Sequence, residues 1–247
     1  MTAIEIEAIE RATVAAVSPS AQEEIPGWLL PFDTSTVVRS KSAVPLSHAA
    51  PDPAALREIE SRYAARGLRT ILRLPATSTF DGCRGQLSAR GWVEGKPTLV
   101  RTALAQDVLR VTQAPHARTA DRPDAGWAAV FTGEGFDPFD GASRVANLSR
   151  APGALFASVL ENGVTIAAGM GAYSHGWGSV HGMRTARHAR GRGLAGQVLA
   201  ALAQAAIDRQ MPRLFLQTEA GNEAANALYT RAGFTTAWTY TYWTLPA

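Results

Sequence analysis

The stretch ARGRGLAGQVLAALAQAAID, residues 189–208, places Gly191, Gly193 and Gly196 at the mouth of what otherwise reads as a good helix. Glycine inside a helix costs about 1 kcal/mol relative to alanine, so something other than helix stability wants small residues and bare backbone there. A strand, a Gly-rich turn and a helix in that order form an anion site. The first backbone N–H groups of a helix lack internal partners, the macrodipole adds partial positive charge, and glycines let an anion approach the amides closely. Arg190 and Arg192 add full charges. RGRGLA therefore reads as a diphosphate cradle made by Arg190, Gly191, Arg192, Gly193, Leu194 and Ala195. Behind it Leu194, Val198 and Leu202 share one helical stripe, with Gln197, Gln204 and Asp208 about a quarter-turn round.

No G-K-[ST] follows, so this is not a P-loop. G-x-G-x-x-G does run from Gly191 to Gly196, and Glu219 ends the next strand. The strands before it, however, are joined by tight turns rather than helical crossovers, which argues against a dinucleotide fold.

Outward from the cradle, residues 153–185 read as three strands. Asn162-Gly163 marks the first hairpin and HGWG (175–178) the second. RLFLQTE (213–219) is a strand, NEAANALYTRAGF (222–234) a helix and TAWTYTYWTL (236–245) a last strand. Upstream, helices are expected at 124–133 and 142–152 and a strand at 108–114. A loop is expected at 135–143, where Pro138 and Gly141 break any helix. The first half reads as a helix (4–16), strands (27–33 and 35–46), a helix (53–67), a strand (69–75), a helix (80–92) and a strand (96–104).

The two halves repeat one order of elements. LSARGWVEGKPTLVRTAL (87–104) matches YTRAGFTTAWTYTYWTL (229–245), with Gly91 against Gly233 and Trp92 against Phe234. A period of about 140 residues points to two copies of one domain rather than a solenoid. The expected division is 1–107 and 108–247.

Composition narrows the function classes. Of 247 residues, 46% are hydrophobic, ample for a core, and no apolar run approaches the roughly 18 residues of a membrane span. The first residues lack a basic n-region, so a soluble, cytoplasmic protein with no membrane partner is expected. Cys83 is the only cysteine, which rules out an internal disulfide and a multi-cysteine metal site. The five histidines form no HxxxH or HxH pair, so no metal is expected. A formal charge of +3, with arginines scattered, is too small to argue for nucleic acid.

Two motifs stand together in the second half. RGRGLA fits R-x-x-G-x-A, and residues 222–234 fit N-x-x-A-x-x-L-Y-x-x-x-G-F, with Asn222, Ala225, Leu228, Tyr229, Gly233 and Phe234 in place. Their order and separation, with one strand between, resemble the GCN5-related N-acetyltransferase family. The resemblance covers residues 108–247 well and the first half weakly. It implies an α/β (α+β) fold of two such domains in tandem, each a mixed, mostly antiparallel twisted sheet with helices on both faces, the first degenerate.

The resemblance also implies acetyl-CoA as cosubstrate, held where two parallel strands splay. Its diphosphate would rest on the amides of Arg190 to Ala195, its pantetheine arm would pair with the backbone at Met183 and Thr185, and Asn222 would reach it from the next helix. A neutral amine would attack the thioester directly, a backbone N–H would stabilise the oxyanion, and Tyr229 would protonate the leaving thiolate. The usual proline before the Arg motif is Arg187 here, which leaves the cradle intact. A strand glutamate is missing from TIAAGMGAYSH (165–175), leaving Glu219 as the best acid near the split. Asp137 and Asp140 lie on the loop that covers the acceptor site in the family, where they could hold a cationic substrate.

The first half lacks these parts. Pro51 and Pro53 precede its helix, and Leu87 stands where Tyr229 would. The expected acceptor is a small-molecule amine, and the expected assembly a monomer or homodimer. The alternative is a non-catalytic acyl-CoA-binding or sensing protein that kept the cradle and lost turnover.

Overall fold

Thr2 and Glu5 start the first helix. The Thr2 hydroxyl accepts from the Glu5 N–H at 3.2 Å and the Glu5 carboxylate accepts from the Thr2 N–H at 2.8 Å, a reciprocal cap. In this computed structural model, which describes residues 1–49, 51–113 and 116–246, the elements follow in chain order. The first half holds α1 (Ala3–Val17), β1 (Ala21–Ile25), β2 (Trp28–Phe32), β3 (Val44–Pro45), α2 (Ala55–Ala64), β4 (Ile71–Pro75), α3 (Asp81–Ala89), β5 (Val93–Glu94) and β6 (Thr98–Leu104). Then come α4 (Ala105–Leu109), β7 (Arg118–Ala120), α5 (Ala125–Thr132), α6 (Pro138–Leu148), β8 (Leu155–Glu161), β9 (Val164–Ser174) and β10 (Trp177–Thr185). The chain closes with α7 (Leu194–Asp208), β11 (Arg213–Glu219), α8 (Glu223–Arg231) and β12 (Thr235–Thr244).

Eight strands form one twisted path, β4-β12-β6-β11-β10-β9-β8-β7, with β5 added beside β12. Only β10 and β11 run parallel; the other neighbours on the path are antiparallel. A separate antiparallel set, β1-β2-β3, joins this path through a single parallel bridge, Ala43 to Leu72. The fold is thus mixed α/β with a large, mostly antiparallel sheet between helices.

The sheet crosses the expected division at residue 107. β6 comes from the first half, yet it lies between β11 and β12 of the second, with Leu216 opposite Arg101 and Trp238 opposite Val100. β12 in turn reaches past β6 to pair with β4 of the first half, Trp243 opposite Leu72. The last strand of each half thus lies beside a strand of the other, β6 beside β11 and β12 beside β4.

Successive side chains point to opposite faces of the sheet, and helices cover both, so β8 and β9 are buried in continuous runs. Leu214, Leu216 and Val180 pack with Leu194, Val198, Leu202 and Tyr229 under α7 and α8. On the opposite face Phe215, Trp177, Val100 and Tyr240 meet Ile9 and Ala12 of α1, while Trp127, Phe131 and Leu148 of α5 and α6 cover Met170 and Ala172. A further core around Leu56, Ile59, Tyr63 and Leu87 holds α2 and α3 against β4.

Three expected elements differ. Residues 35–46 are not one strand but a 3-10 turn over Val38–Lys41 followed by the two-residue β3. Ser40 bonds the Val37 carbonyl at 2.8 Å and the Ser35 hydroxyl at 2.9 Å, and such local side-chain bonds compete with a ladder. The strand expected at 108–114 overlaps the short helix α4, where Val108 turns fully inward; Ala114 lies outside the described residues. The loop expected at 135–143 contains the start of α6. Pro138 sits at the first turn, where its missing N–H costs nothing, and Asp137 caps it by accepting from Phe139 N–H at 2.8 Å.

Candidate active site

β10 and β11 pair only over Gly178–Leu214, Ser179–Phe215 and Val180–Leu216. Beyond Val180 they part. β11 continues along β6 until Glu219 faces Thr98, and β10 continues along β9 until Thr185 faces Ala167. The cause is local: the β9–β10 register shifts between His181 and Arg184, and Gly182 takes a φ of +59°. A Cβ there would come within 2.8 Å of Leu148 and 3.0 Å of Phe131. A bulge of this kind raises the local twist and turns the strand away from its neighbour. Crevices beyond the carboxyl ends of diverging parallel strands are general ligand sites in α/β sheets.

The cradle lies at the mouth of this split. Gly191 and Gly193 have φ of +76° and +75°, and a side chain at either would meet nothing within 4 Å, so their glycines serve backbone shape and open access. Among the described residues, the backbone N–H groups of 191–195 have no carbonyl partner; the first such bond is Gly196 N–H to Gly193 O at 2.9 Å. Gly193 caps α7 without a side-chain acceptor, and no acidic residue stands in the first turn. Gly196 differs from the other two, lying in ordinary contact with Val111. Arg192 pairs with Glu161, and Arg190 lies 5.6 Å from the Phe136 ring with its Nε 3.4 Å from the Thr185 carbonyl.

Met183 and Thr185 stand half-buried on the free arm of β10. Glu219 ends the facing arm, exposed, and its carbonyl accepts from the Asn222 N–H at 3.0 Å. Asn222 caps α8, its Oδ1 accepting from Ala225 N–H at 3.2 Å, so that oxygen already has a structural task. Tyr229 is 8% exposed and packs edge-on to Phe234 with centroids 6.0 Å apart. Burial pushes its hydroxyl up to about 12, opposed by the Arg101 and Arg39 cations, so it holds its proton at neutral pH. Among the described residues that hydroxyl has no hydrogen-bond partner.

Arg101 of β6 anchors the tyrosine's helix. Its guanidinium donates to Asn226 O at 3.0 Å, Thr230 Oγ1 at 2.8 Å and Phe234 O at 2.6 Å. The first half thus positions α8 directly. Asp137 and Asp140, expected as cation holders, are engaged otherwise: Asp137 caps α6, and Asp140 pairs with Arg144 at 2.6 Å and lies 3.9 Å from Arg184. Tyr173 donates to Leu202 O at 3.0 Å, a packing role.

The sequence reading passed over a polar chamber on the α1 face at the root of the split. His181 and Gln217 are the first residues past the last parallel pair, and both face α1. Gln217 bridges Thr13 at 2.8 Å and the Tyr240 hydroxyl at 2.9 Å, and Tyr240 meets Tyr242 at 3.2 Å. Arg73 of β4, 1% exposed, lies 2.9 Å from Glu10 of α1. Arg39, from the strap between β2 and β3, faces Tyr240 and Tyr242. The strap itself is fastened to α6 by Thr36 N–H to Ser143 Oγ at 2.9 Å. A cleft of about 250 Å³ bounded by Arg118, Asp124 and Phe156 lies at the far edge of the sheet, away from the split.

A protein-family model described as probable histone acetyltransferase Rv0428c C-terminal matches residues 2–243. No curated protein matches the sequence. Among solved structures, a GCN5-related N-acetyltransferase from Kribbella flavida is similar with a TM-score of 0.71 at 18% identity, over 98% of this chain and 95% of that one. A functionally unknown conserved protein from Staphylococcus epidermidis gives 0.69 at 9% identity, over 94% and 96%. A tandem protein of the same fold from the clavulanic acid biosynthesis pathway gives 0.60 at 11% identity, over 97% and 94%. The matched span leads to one statement: the chain belongs to the family described as probable histone acetyltransferase Rv0428c C-terminal, with the fold of the GCN5-related N-acetyltransferase structure it resembles.

Proposed function

We propose that the protein transfers an acetyl group from acetyl-CoA to the amine of a small molecule. The observation that carries this reading is the row of amides at 191–195 that, among the described residues, have no carbonyl partner, on the segment that follows the diverging arm of β10. Two positive-φ glycines with open space beside them give a diphosphate the close approach it needs. The unpaired edge of β10 over Met183 and Thr185 offers the backbone groups that an extended pantetheine arm would meet.

Acetyl-CoA supplies the activated thioester. The chain supplies position and proton transfers, which suffices because thioesters are already reactive. Tyr229 donates its proton to the sulfur as the carbon–sulfur bond breaks. Glu219, exposed at the end of the facing arm, accepts the proton that the amine sheds as its bond to the acyl carbon forms. We favour a small acceptor over a protein tail because α1 and the strap lie over that face of the sheet at the root of the split.

The test is thiol release from acetyl-CoA over a panel of amines with wild type and Tyr229→Phe. The substitution should leave acetyl-CoA affinity unchanged and lower kcat by about 10²- to 10⁴-fold, the usual worth of a general acid. An unchanged kcat removes Tyr229 from that role. Binding of acetyl-CoA with no turnover of any amine would favour an acyl-CoA-binding protein instead.

A further inference from the structure

The chamber beside the split carries an excess of unmatched polar groups, and its chemistry narrows the acceptor. Six separate segments build it: α1 gives Glu10 and Thr13, the strap gives Arg39, β4 gives Arg73, β10 gives His181, β11 gives Gln217, and β12 gives Tyr240 and Tyr242. Arg73 and His181 are 1% and 5% exposed, yet Arg73 Nε and Nη1 and His181 Nε2 have no hydrogen-bond partner. Arg39 Nε is likewise enclosed and unpartnered. Buried donors left unpaired are costly, and such groups in a native protein point to a missing partner.

Charge says what kind of partner. Glu10 is the one carboxylate within ion-pairing distance of Arg73, at 2.9 Å. Arg39 has no carboxylate within 4.0 Å among the described residues. Burial, with Arg39 nearby, holds His181 down at about 3, and burial with Arg73 nearby holds His48 down at about 4, so both rings are neutral at physiological pH. Arg73, buried, and Arg39, half-buried beside the Tyr240 and Tyr242 hydroxyls, share the single carboxylate of Glu10, which leaves one positive charge in excess at Arg39, and a charge largely withdrawn from water favours an anionic partner.

Resting on the acetyltransferase reading above, we infer that the acceptor is a small amine bearing an anionic group, a carboxylate or a phosphate, which the Arg39 guanidinium holds in this chamber. His181 and Gln217 place the chamber at the root of the split, so an anion on Arg39 leaves the same molecule's amine directed toward the reacting carbonyl. Tyr240 donates its proton to Gln217, so of the two hydroxyls that face Arg39 only that of Tyr242 can turn from Tyr240 to the same anion. The strap carrying Arg39 belongs to the first half, so the half without a cradle supplies the specificity of the half that has one.

The experiment compares matched amines that differ only in the anion: lysine with cadaverine, tyrosine with tyramine, and O-phosphoethanolamine with ethanolamine. With acetyl-CoA saturating, kcat/KM should favour at least one anionic member by about tenfold to a hundredfold, the range of a charge-assisted bond. The two kinds of pair separate carboxylate from phosphate. Arg39→Gln should abolish that preference mainly through KM, Arg39→Lys should restore part of it, and both should bind acetyl-CoA as wild type does, which reports an intact fold. Equal rates within every pair, preference for the neutral amines, or turnover of a lysine peptide alone would overturn the inference, and the wild-type comparison decides this even if Arg39→Gln does not fold. Calorimetric binding of the same pairs without acetyl-CoA separates the two readings: anion-selective binding without acetyl transfer would sink the transferase and keep the chamber.

Discussion

The segment β4–α3–β6 and the segment β11–α8–β12 are the same structure put to different ends. Each runs strand, helix, left-handed glycine, buried aromatic, strand. Gly91 and Gly233 have φ of +80° and +86°, and in both the aromatic N–H returns to the helix, Trp92 to Leu87 O at 3.0 Å and Phe234 to Tyr229 O at 2.9 Å. Even the parallel partner recurs, as Ala43 beside β4 and β10 beside β11. The difference lies in what precedes the long helix. α2 begins with amides already satisfied by local carbonyls and by the Asp52 carboxylate, 2.8 Å from Ala54 N–H. α7 begins with amides that, among the described residues, have no carbonyl partner. Leu87 is sealed where Tyr229 keeps a hydroxyl. In the first half the helix start is filled, and in the second it leaves open the amides to which we assign the cosubstrate.

The interdigitated strands give the strongest way to break this comparison. If each half completes the other's sheet, residues 108–247 expressed alone lose β6 and leave β11 and β12 without their shared neighbour. That fragment should show no cooperative thermal transition, and co-expression with 1–107 should restore one; a cooperatively folding fragment would show that the halves are independent.

Arg101 sharpens the dependence of one half on the other. Arg101→Met removes three bonds to α8 and leaves buried carbonyls unpaired, which should cost about 4 kcal/mol in urea unfolding. A loss under about 1 kcal/mol would mean that α8 is held by its own core contacts.

The buried histidine at the split predicts a pH signature. His181 titrates near 6.5 when unfolded and is depressed to about 3 by burial and by Arg39. The unfolded chain therefore binds more protons between those values. The stability gained from keeping His181 neutral is full above about pH 6.5 and is lost progressively as pH falls toward 3. His181→Gln should flatten the decline between pH 6.5 and 4 by at most about 3 kcal/mol; an unchanged slope would place the titration elsewhere.

The smallest effect compares the paired glycines. A Cβ on Gly91 meets nothing, while one on Gly233 falls 3.2 Å from Asp107 Cβ. Both alanines carry the left-handed strain of about 1 to 2 kcal/mol, and Gly233→Ala should cost more than Gly91→Ala. Equal losses in denaturant midpoints would remove the packing difference.

How far these features can be read from the sequence follows the range of the interactions behind them. The glycine turn before α7, the turns at Asn162-Gly163 and His175-Gly176, and β11 at 213–219 depend on residues close in the chain, and they stand where their residues indicate. The start of α6 misled because Pro138 breaks a helix interior but suits a first turn, and only the Asp137 cap tells the two apart. The repeat of Gly91 and Gly233 was legible, but the exchange of β6 and β12 was not, since hydrophobic alternation marks a strand without naming its neighbour. The chamber is harder still. Glu10, Arg39, Arg73, His181 and Tyr240 stand far apart in the chain, and none sits in a motif.

Calorimetric titration with acetyl-CoA tests most directly whether the open helix start alone binds the cosubstrate. Wild type should bind one acetyl-CoA per chain, and Arg190→Glu combined with Gly193→Asp should abolish binding while leaving the thermal transition cooperative. Two sites per chain, or unchanged affinity in the double variant, would contradict the assignment of the cradle to residues 190–195.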